Sequence, residues 1–275
     1  MKVAFITRHT PSNYGSVLQA YATQRTIERL GHEAVCINYI RTDELPENQT
    51  KALLSVSRWN KNTATRLLYS VTQKTKESTS GGIFIPLAKS TLEKGGVVFG
   101  CAYDENLVAR HIAVEKEAYL HKLQGSKYVQ SDLSGIYSRV KSELKDGRNV
   151  LFSGTGCQVA GLRSFLGKDF DNLITVDIVC HGVPSPKLFE KYIGYLGSKL
   201  GESVKSYNFR SKKRHGRGLF YEVETDNIGK GGSGFDDPYY NAFLNCKTYR
   251  EGCYNCRFAN CDRQGDITLA DFWGI

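Results

Sequence analysis

The chain has 275 residues, of which 40% are hydrophobic, and a formal net charge of +9. This length suits one large domain or two smaller ones. No apolar run approaches the roughly 20 residues of a membrane-spanning helix, which excludes a membrane span. The apolar stretch at the start is too short for a secretory signal, so we expect a cytoplasmic protein. In that reducing compartment, eight cysteines favour metal or redox chemistry over disulfides.

The first part of the chain has the pattern of a small β-α-β unit. Residues 2–7 run apolar as a short buried strand does, and residues 34–40 repeat that pattern. Between them, Ser16–Leu30 place apolar side chains roughly along one helical face, and Gly31 suits a C-terminal cap. We therefore predict a Rossmann-like β-α-β fragment, followed by a polar linker over residues 41–80.

From about residue 83, helical and strand patterns alternate. The predicted strands are 97–103, 149–153 and 173–179. Two predicted helices cover about 83–92 and 131–144, and two more begin near 158 and 185. Residues 207–210 and 219–225 form a predicted hairpin. Ser131 or Asp132 is the predicted cap of the second helix, and residues 229–234 form a predicted glycine-rich loop. The predicted fold class is α/β. We expect a mixed sheet with flanking helices and a C-terminal cysteine-rich metal-binding region, preceded by the small Rossmann-like fragment.

Four cysteines stand at predicted element ends or in C-x-x-C spacing. Cys157 follows a strand at a helix start, Cys180 ends another strand, and Cys253 and Cys256 form the C-x-x-C pair. Helix N-termini favour the thiolate, and thiolates bind both iron–sulfur clusters and zinc. Either of the first two cysteines alone would more often be a buried structural residue, but together the four indicate a metal site, with an iron–sulfur cluster favoured over structural zinc.

Other cysteines leave alternatives open. Cys246 and Cys261 flank the C-x-x-C pair and could replace one of the ligands. Cys36 and Cys101 lie in apolar strands, where a cysteine usually behaves as a small core residue.

Two polar segments precede predicted helices. Ser80-Gly81-Gly82 combines a hydroxyl with free backbone N–H groups, a combination suited to an anion. In Gly125–Ser131, Lys127 could meet a phosphate and Tyr128 could stack on a ring. Taken alone, each segment reads as an ordinary capped loop.

The order of these motifs resembles the beta subunit family of coenzyme F420 hydrogenases and dehydrogenases, which are iron–sulfur flavoproteins. The resemblance covers residues about 77–275. It is carried by six blocks, Ser80–Phe84, Gly95–Gly100, Gly125–Ser131, Phe152–Leu162, Asp177–Pro184 and Cys253–Gly274. The chain departs from the family pattern in three ways. It lacks a C-x-x-C-x-x-C ferredoxin module, it has Gly156 where a proline is expected, and it stops at Ile275 where relatives continue.

The resemblance implies cofactors, site residues and a role. It implies a 4Fe-4S cluster on Cys157, Cys180, Cys253 and Cys256, and FAD held by Ser80, Gly81, Gly82, Ser126, Lys127, Tyr128 and Gln130. The implied activity is that of a flavin-dependent iron–sulfur oxidoreductase that passes electrons between the cluster, FAD and a partner or substrate. The implied partner is an electron-donor protein such as a ferredoxin or a hydrogenase or dehydrogenase subunit. We expect no nucleic-acid partner.

Residues 1–75 resemble a different family, the polysaccharide pyruvyl transferases. The resemblance is carried by Lys2–Thr7, by Asn13–Ala22 and by Leu30–Glu33. We therefore divide the chain into a transferase-like fragment with a linker, residues 1–76, and an iron–sulfur flavoprotein domain, residues 77–275. The alternative functions are a glycan-modifying protein related to the transferases and a truncated, non-catalytic remnant.

Overall fold

The computed structural model describes residues 2–7, 28, 31, 33–38, 83–213, 218–260 and 262–270. The strands are β1 (Lys2–Thr7), β2 (Glu33–Asn38), β3 (Val97–Tyr103), β4 (Ala109–Val114), β5 (Val150–Thr155), β6 (Leu173–Ile178), β7 (Ser206–Asn208), β8 (Phe220–Glu224), β9 (Gly229–Ser233) and β10 (Ile267–Leu269). The helices are α1 (Phe84–Glu93), α2 (Ile136–Lys145), α3 (Gly156–Leu166), α4 (Pro186–Leu200), α5 (Pro238–Leu244) and α6 (Glu251–Tyr254), with a 3-10 helix over Glu117–Leu123.

The two N-terminal strands pair in parallel. Lys2 lies opposite Glu33 and Thr7 opposite Asn38, so both predicted strands are confirmed. Gly31 has a φ of +78°, a left-handed conformation that suits a helix C-cap. Of the predicted connecting helix only Glu28, which is helical, is described. The complete β-α-β fragment, the linker over 41–80 and the Ser80–Gly82 segment lie outside the described residues.

A five-stranded mixed sheet carries the rest of the fold. Its strand order is β10-β6-β5-β3-β4, and all its pairs are parallel except β3 with β4. The three predicted strands β3, β5 and β6 lie at its centre, where apolar residues fill both faces. Strand β4 is absent from the sequence-based prediction because Arg110 and His111 interrupt its apolar pattern, although His111 is buried.

Helices cover both faces of this sheet. Val97 and Phe99 of β3 pack against α2 and α3 on one face, while Val98 packs against α1 and the 3-10 helix on the other. The predicted period of α2 is confirmed because Val140 and Leu144 are buried. Its cap differs from the prediction, since Gly135 occupies the N-cap position with a φ of +74°.

The predicted caps are used elsewhere. The hydroxyl of Ser131 contacts His111, and the carboxylate of Asp132 accepts hydrogen bonds from Ser134. Helix α3 begins at Gly156, two residues before the predicted start. Ser131 is thus engaged by a residue distant in sequence, whereas Asp132 and the α3 N-cap use contacts within three residues.

A second core is formed mainly by aromatic side chains. It lies between a three-stranded antiparallel sheet, in the order β7-β8-β9, and helices α4 and α5. The predicted hairpin is confirmed, because Ser206 pairs with Glu224 in β7 and β8. The predicted glycine-rich loop was wrong, because Gly229–Ser233 pairs with β8 as an edge strand. Glycine disfavours strands locally, but backbone pairing with β8 overrides this preference.

Candidate functional site

Cys157 lies in the first turn of α3, where β5 ends. Thr155 is the N-cap of this helix and forms a capping box with Gln158. The Thr155 hydroxyl lies 3.1 Å from the Cys157 sulfur, and the thiol is exposed. A Cβ atom at Gly156 would stand 3.4 Å from Cβ of Phe258. The segment that follows Cys256 therefore packs against the start of this helix.

Cys180 lies in the loop after β6. Its sulfur accepts a hydrogen bond from the Gly182 N–H at 3.4 Å. Gly182 has a φ of +131°, and a Cβ atom there would stand 2.3 Å from the Tyr249 ring, so only glycine fits. Burial raises the pKa of the Cys180 thiol, and the charges of Cys157, Cys253 and Cys256 raise it further. The four predicted ligands are thus close enough to interact electrostatically around Cys180.

The C-x-x-C pair is joined to the same loop by Arg250, the N-cap of α6. Its backbone N–H donates to the Val183 carbonyl at 3.0 Å, and its guanidinium donates to the Gln130 side-chain oxygen. Cys253 then donates its own N–H to the Arg250 carbonyl at 2.8 Å. One arginine therefore links the cysteine pair both to the Cys180 loop and to the polar segment around Gln130.

The donor set fits a cluster bound only by thiolates, although the sulfurs are not in ligating positions. All four cysteines are free thiols, and thiolates are the usual ligands of iron–sulfur clusters. Among the residues that the structure describes, no three His, Cys, Asp or Glu side chains form a metal-binding group. The electrostatic interaction around Cys180 and the lack of a ligating geometry among the described residues are compatible, because charges interact over longer distances than metal–ligand bonds.

Of the two cysteines that flank the C-x-x-C pair, the structure describes Cys246 but not Cys261. Cys246 is exposed and has a φ of +58°, uncommon for a residue other than glycine. Its carbonyl accepts a hydrogen bond from the Tyr254 hydroxyl at 2.9 Å. Cys261 lies outside the described residues. The substitution of either for one of the four ligands stays a prediction.

The segment after the cysteine pair is held to the sheet by a buried ion pair. Asp177 of β6 has no exposed side-chain surface and lies 2.6 Å from the guanidinium of Arg263. It also accepts a hydrogen bond from the Thr268 hydroxyl at 2.6 Å. Sequence reasoning quoted Asp177 only as the start of a motif. A carboxylate inside an otherwise apolar parallel strand was the signal that could have revealed its role.

A second carboxylate repeats this arrangement nearby. Asp266 accepts hydrogen bonds of 2.7 Å from both the backbone N–H and the hydroxyl of Thr175. It also accepts a 2.7 Å hydrogen bond from Arg163 of α3. Despite partial burial, these contacts hold the pKa of the Asp266 carboxyl below its usual range. The residues before β10 are therefore attached to both β6 and α3.

The polar segment Gly125–Ser131 lies beside the cysteine loops. Gln130 donates its backbone N–H to the Pro184 carbonyl at 3.1 Å, next to its contact with Arg250. The ammonium of Lys127 donates to the carbonyls of Gln124 and Gly125 at 2.7 and 3.1 Å, and burial lowers its pKa. The same ammonium lies 5.9 Å from the centroid of the Tyr103 ring.

The remaining predicted flavin contacts in this segment differ in exposure. The Tyr128 ring stacks on Phe243 with the ring centroids 4.4 Å apart, and its hydroxyl accepts from Arg210 at 3.2 Å. Ser126 is half-buried. Ser80, Gly81 and Gly82 lie outside the described residues. The flavin role of the whole set stays a prediction.

Comparison with known proteins identifies the part of the chain that contains the cysteines. Residues 147–274 match the family described as the C terminus of the coenzyme F420 hydrogenase/dehydrogenase beta subunit. No curated protein matches the chain. A solved structure of the F420-reducing NiFe hydrogenase complex from Methanosarcina barkeri contains a chain with 19% sequence identity and a TM-score of 0.43. That match covers 70% of this chain and 62% of the other.

None of the helices in the described part of the chain combines the length and apolar content needed to cross a bilayer. The matched region begins just before β5 and includes all four predicted ligands, the Asp177–Arg263 pair and β10. Residues 147–274 of this chain, slightly less than half of it, are thus similar to the C-terminal part of the coenzyme F420 hydrogenase/dehydrogenase beta subunit.

Proposed function

We propose that this protein is an iron–sulfur flavoprotein oxidoreductase that passes electrons between a 4Fe-4S cluster, FAD and a redox partner or substrate. The observation that carries the proposal is that Arg250 bonds the cysteine helix to the Cys180 loop, while Phe258 lies against the start of the Cys157 helix, all within the region that matches the family. Its proposed partner is an electron-donor protein such as a ferredoxin or a hydrogenase or dehydrogenase subunit. We also propose a cytoplasmic location.

The residues would divide the work between two cofactor sites. Cys157, Cys180, Cys253 and Cys256 would hold the cluster, and Ser126, Lys127, Tyr128 and Gln130 would hold FAD together with the Ser80–Gly82 segment. When bound, the cofactors would supply one-electron and two-electron chemistry, while the protein sets their position and surroundings. The Gln130–Arg250 contact supports this division, because it places the polar segment next to the cysteine helix.

The proposed parts of the chain remain those predicted from sequence, residues 1–76 and 77–275. The described residues from 83 to 270 fall in one compact unit, which is consistent with a domain beginning near residue 77. The Asn13–Ala22 block behind the transferase resemblance lies outside the described residues. No described contact favours the transferase function, so we do not propose it.

The cluster proposal is tested by metal content. We expect protein purified anaerobically and reconstituted to be brown, with stoichiometric iron and acid-labile sulfide. Cys157→Ser and Cys253→Ser should each lose most of that iron, because a serine hydroxyl is a poor substitute for a thiolate ligand. Cys101→Ala is the matched control and should keep its iron, since Cys101 lies in β3, away from the proposed ligands and the two flanking cysteines. Colourless protein that contains zinc, or wild-type iron in both ligand variants, would contradict the assignment.

The flavin proposal is tested at Lys127. We expect Lys127→Ala to weaken FAD binding by about 1.5–3 kcal/mol, the value of a hydrogen bond to a charged group. Fluorescence titration of the cluster-loaded protein measures this change. Lys122→Ala is the control, because Lys122 is exposed and its ammonium lies over the Tyr119 ring, outside the polar segment. Unchanged affinity in the Lys127 variant would remove this residue from the site, and no FAD binding to the wild type would refute the flavin proposal.

A further inference from the structure

A chain of hydrogen bonds runs from the buried His111 to the sulfur of Cys157. The two ring nitrogens of His111 lie 3.0 Å from the Ser153 carbonyl and 3.0 Å from the Ser131 hydroxyl. The Ser131 oxygen in turn lies 2.8 Å from the side-chain nitrogen of Gln158. We call His111, Ser131, Gln158 and Thr155 the His111 relay.

The direction of each bond in the first half of the relay is fixed by the group at its end. The Ser153 carbonyl can only accept, so Nε2 of His111 carries the hydrogen. In the neutral ring Nδ1 must then accept, and Ser131 supplies its single hydroxyl hydrogen to it. The Ser131 oxygen then accepts a hydrogen bond from the Gln158 side chain, whose amide nitrogen faces Ser131.

The second half of the relay lies at the start of helix α3. With its nitrogen on Ser131, Gln158 directs its side-chain oxygen at the Thr155 N–H, 2.9 Å away. In the capping box the Thr155 hydroxyl oxygen accepts from the backbone N–H of Gln158. The Thr155 hydroxyl lies 3.1 Å from the Cys157 sulfur, and it is the donor when that sulfur is a ligating thiolate, which carries no hydrogen.

We propose that His111 is a positioning residue for Cys157: through Ser131 and Gln158 it holds the Thr155 N-cap, whose hydroxyl lies against the Cys157 sulfur. The proposal rests on the proposed function in one respect, namely that Cys157 ligates the cluster. The relay also connects the polar segment Gly125–Ser131 to Cys157, because Ser131 belongs to both. Hydrogen bonds to ligand sulfurs are among the factors that set the reduction potential of an iron–sulfur cluster.

The first experiment needs no cluster. Nuclear magnetic resonance of the full chain labelled at histidine should show His111 in the Nε2–H tautomer at neutral pH, with its signal assigned by its loss in His111→Phe. In Ser131→Ala, hydrogen exchange of the Thr155 and Gln158 amides should be about tenfold faster. Ser134→Ala is the control, because Ser134 bonds to Asp132, which is not part of the relay. An Nδ1–H tautomer, or unchanged exchange in Ser131→Ala, would overturn the relay.

The second experiment measures the midpoint potential of the reconstituted protein. We expect Thr155→Val to lower the potential by about 59 mV, equivalent to tenfold in a one-electron equilibrium constant, and Ser131→Ala to lower it in the same direction. Thr155→Ser keeps the hydroxyl and should retain the wild-type value. Full iron content with wild-type potentials in both Thr155→Val and Ser131→Ala would overturn the proposal. A wild-type chain that takes up no iron refutes the proposed function instead, and the first experiment then decides the relay.

Discussion

Asp177→Ala is expected to lower the free energy of unfolding by about 3–5 kcal/mol, the usual cost of removing one partner from a buried ion pair. The Asp177 side chain is fully buried, and its carboxylate bonds to both Arg263 and Thr268. Its loss would leave the Arg263 charge, which is 22% exposed, without its carboxylate partner. Urea unfolding followed by circular dichroism measures the change.

Two controls separate this effect from a general loss of charge. Glu115→Gln removes an exposed carboxylate that pairs with Arg139 and Arg148, and should cost less than about 1 kcal/mol. The double variant Asp177→Ala with Arg263→Ala should be more stable than the sum of the two single changes indicates, because the pair is coupled. A cost for Asp177→Ala no larger than that for Glu115→Gln would contradict the prediction.

His111 should make the stability of the fold depend on pH between about 4 and 6.5. Burial is the main cause that lowers the pKa of His111 from 6.5 to about 4, and the positive charge of Lys127 lowers it further. The unfolded chain therefore binds a proton in this range that the folded chain does not. Stability is fully present above pH 6.5 and is lost as the pH falls towards 4, by about 3 kcal/mol in all.

The control compares how steeply the unfolding free energy changes with pH in a His111 variant and in the wild type, rather than their absolute stabilities. His111→Phe keeps a ring that can stack on Phe152, as His111 does with centroids 5.5 Å apart, but it cannot bind a proton. Its unfolding free energy should fall less steeply with decreasing pH, by up to about 1.4 kcal/mol per pH unit. Equal slopes for the variant and the wild type would show that His111 does not titrate as expected.

The elements that the sequence predicted best are those whose signal is local. Strands β3, β5 and β6 begin with short runs of bulky apolar residues, Val97–Phe99, Val150–Phe152 and Leu173–Ile174, and α2 shows its period at Val140 and Leu144. The missed elements depend on distant partners. Strand β4 contains a buried histidine next to the charged Arg110, and β9 is a glycine-rich segment that pairs with β8.

The same distinction applies to the candidate site. That Cys157 and Cys180 come together could be predicted, because the carboxyl ends of neighbouring parallel strands meet at one sheet edge. The connection of the cysteine pair through Arg250 and the anchoring of its segment by Asp177 could not. Each of these contacts joins residues that are more than sixty positions apart, and no local pattern encodes such a partner.

The two anchors of the cysteine pair have a consequence for how a metal would be captured. Residues 250–263 are fastened at the start by the Arg250 contacts and at the end by the Arg263–Asp177 pair. A short chain tethered at both ends explores little space, which gives its groups an effective concentration on the order of millimolar near a fixed site. Cys253 and Cys256, as proposed ligands on this tethered segment, would belong to the same chain as the other two, so metal uptake should not depend on protein concentration.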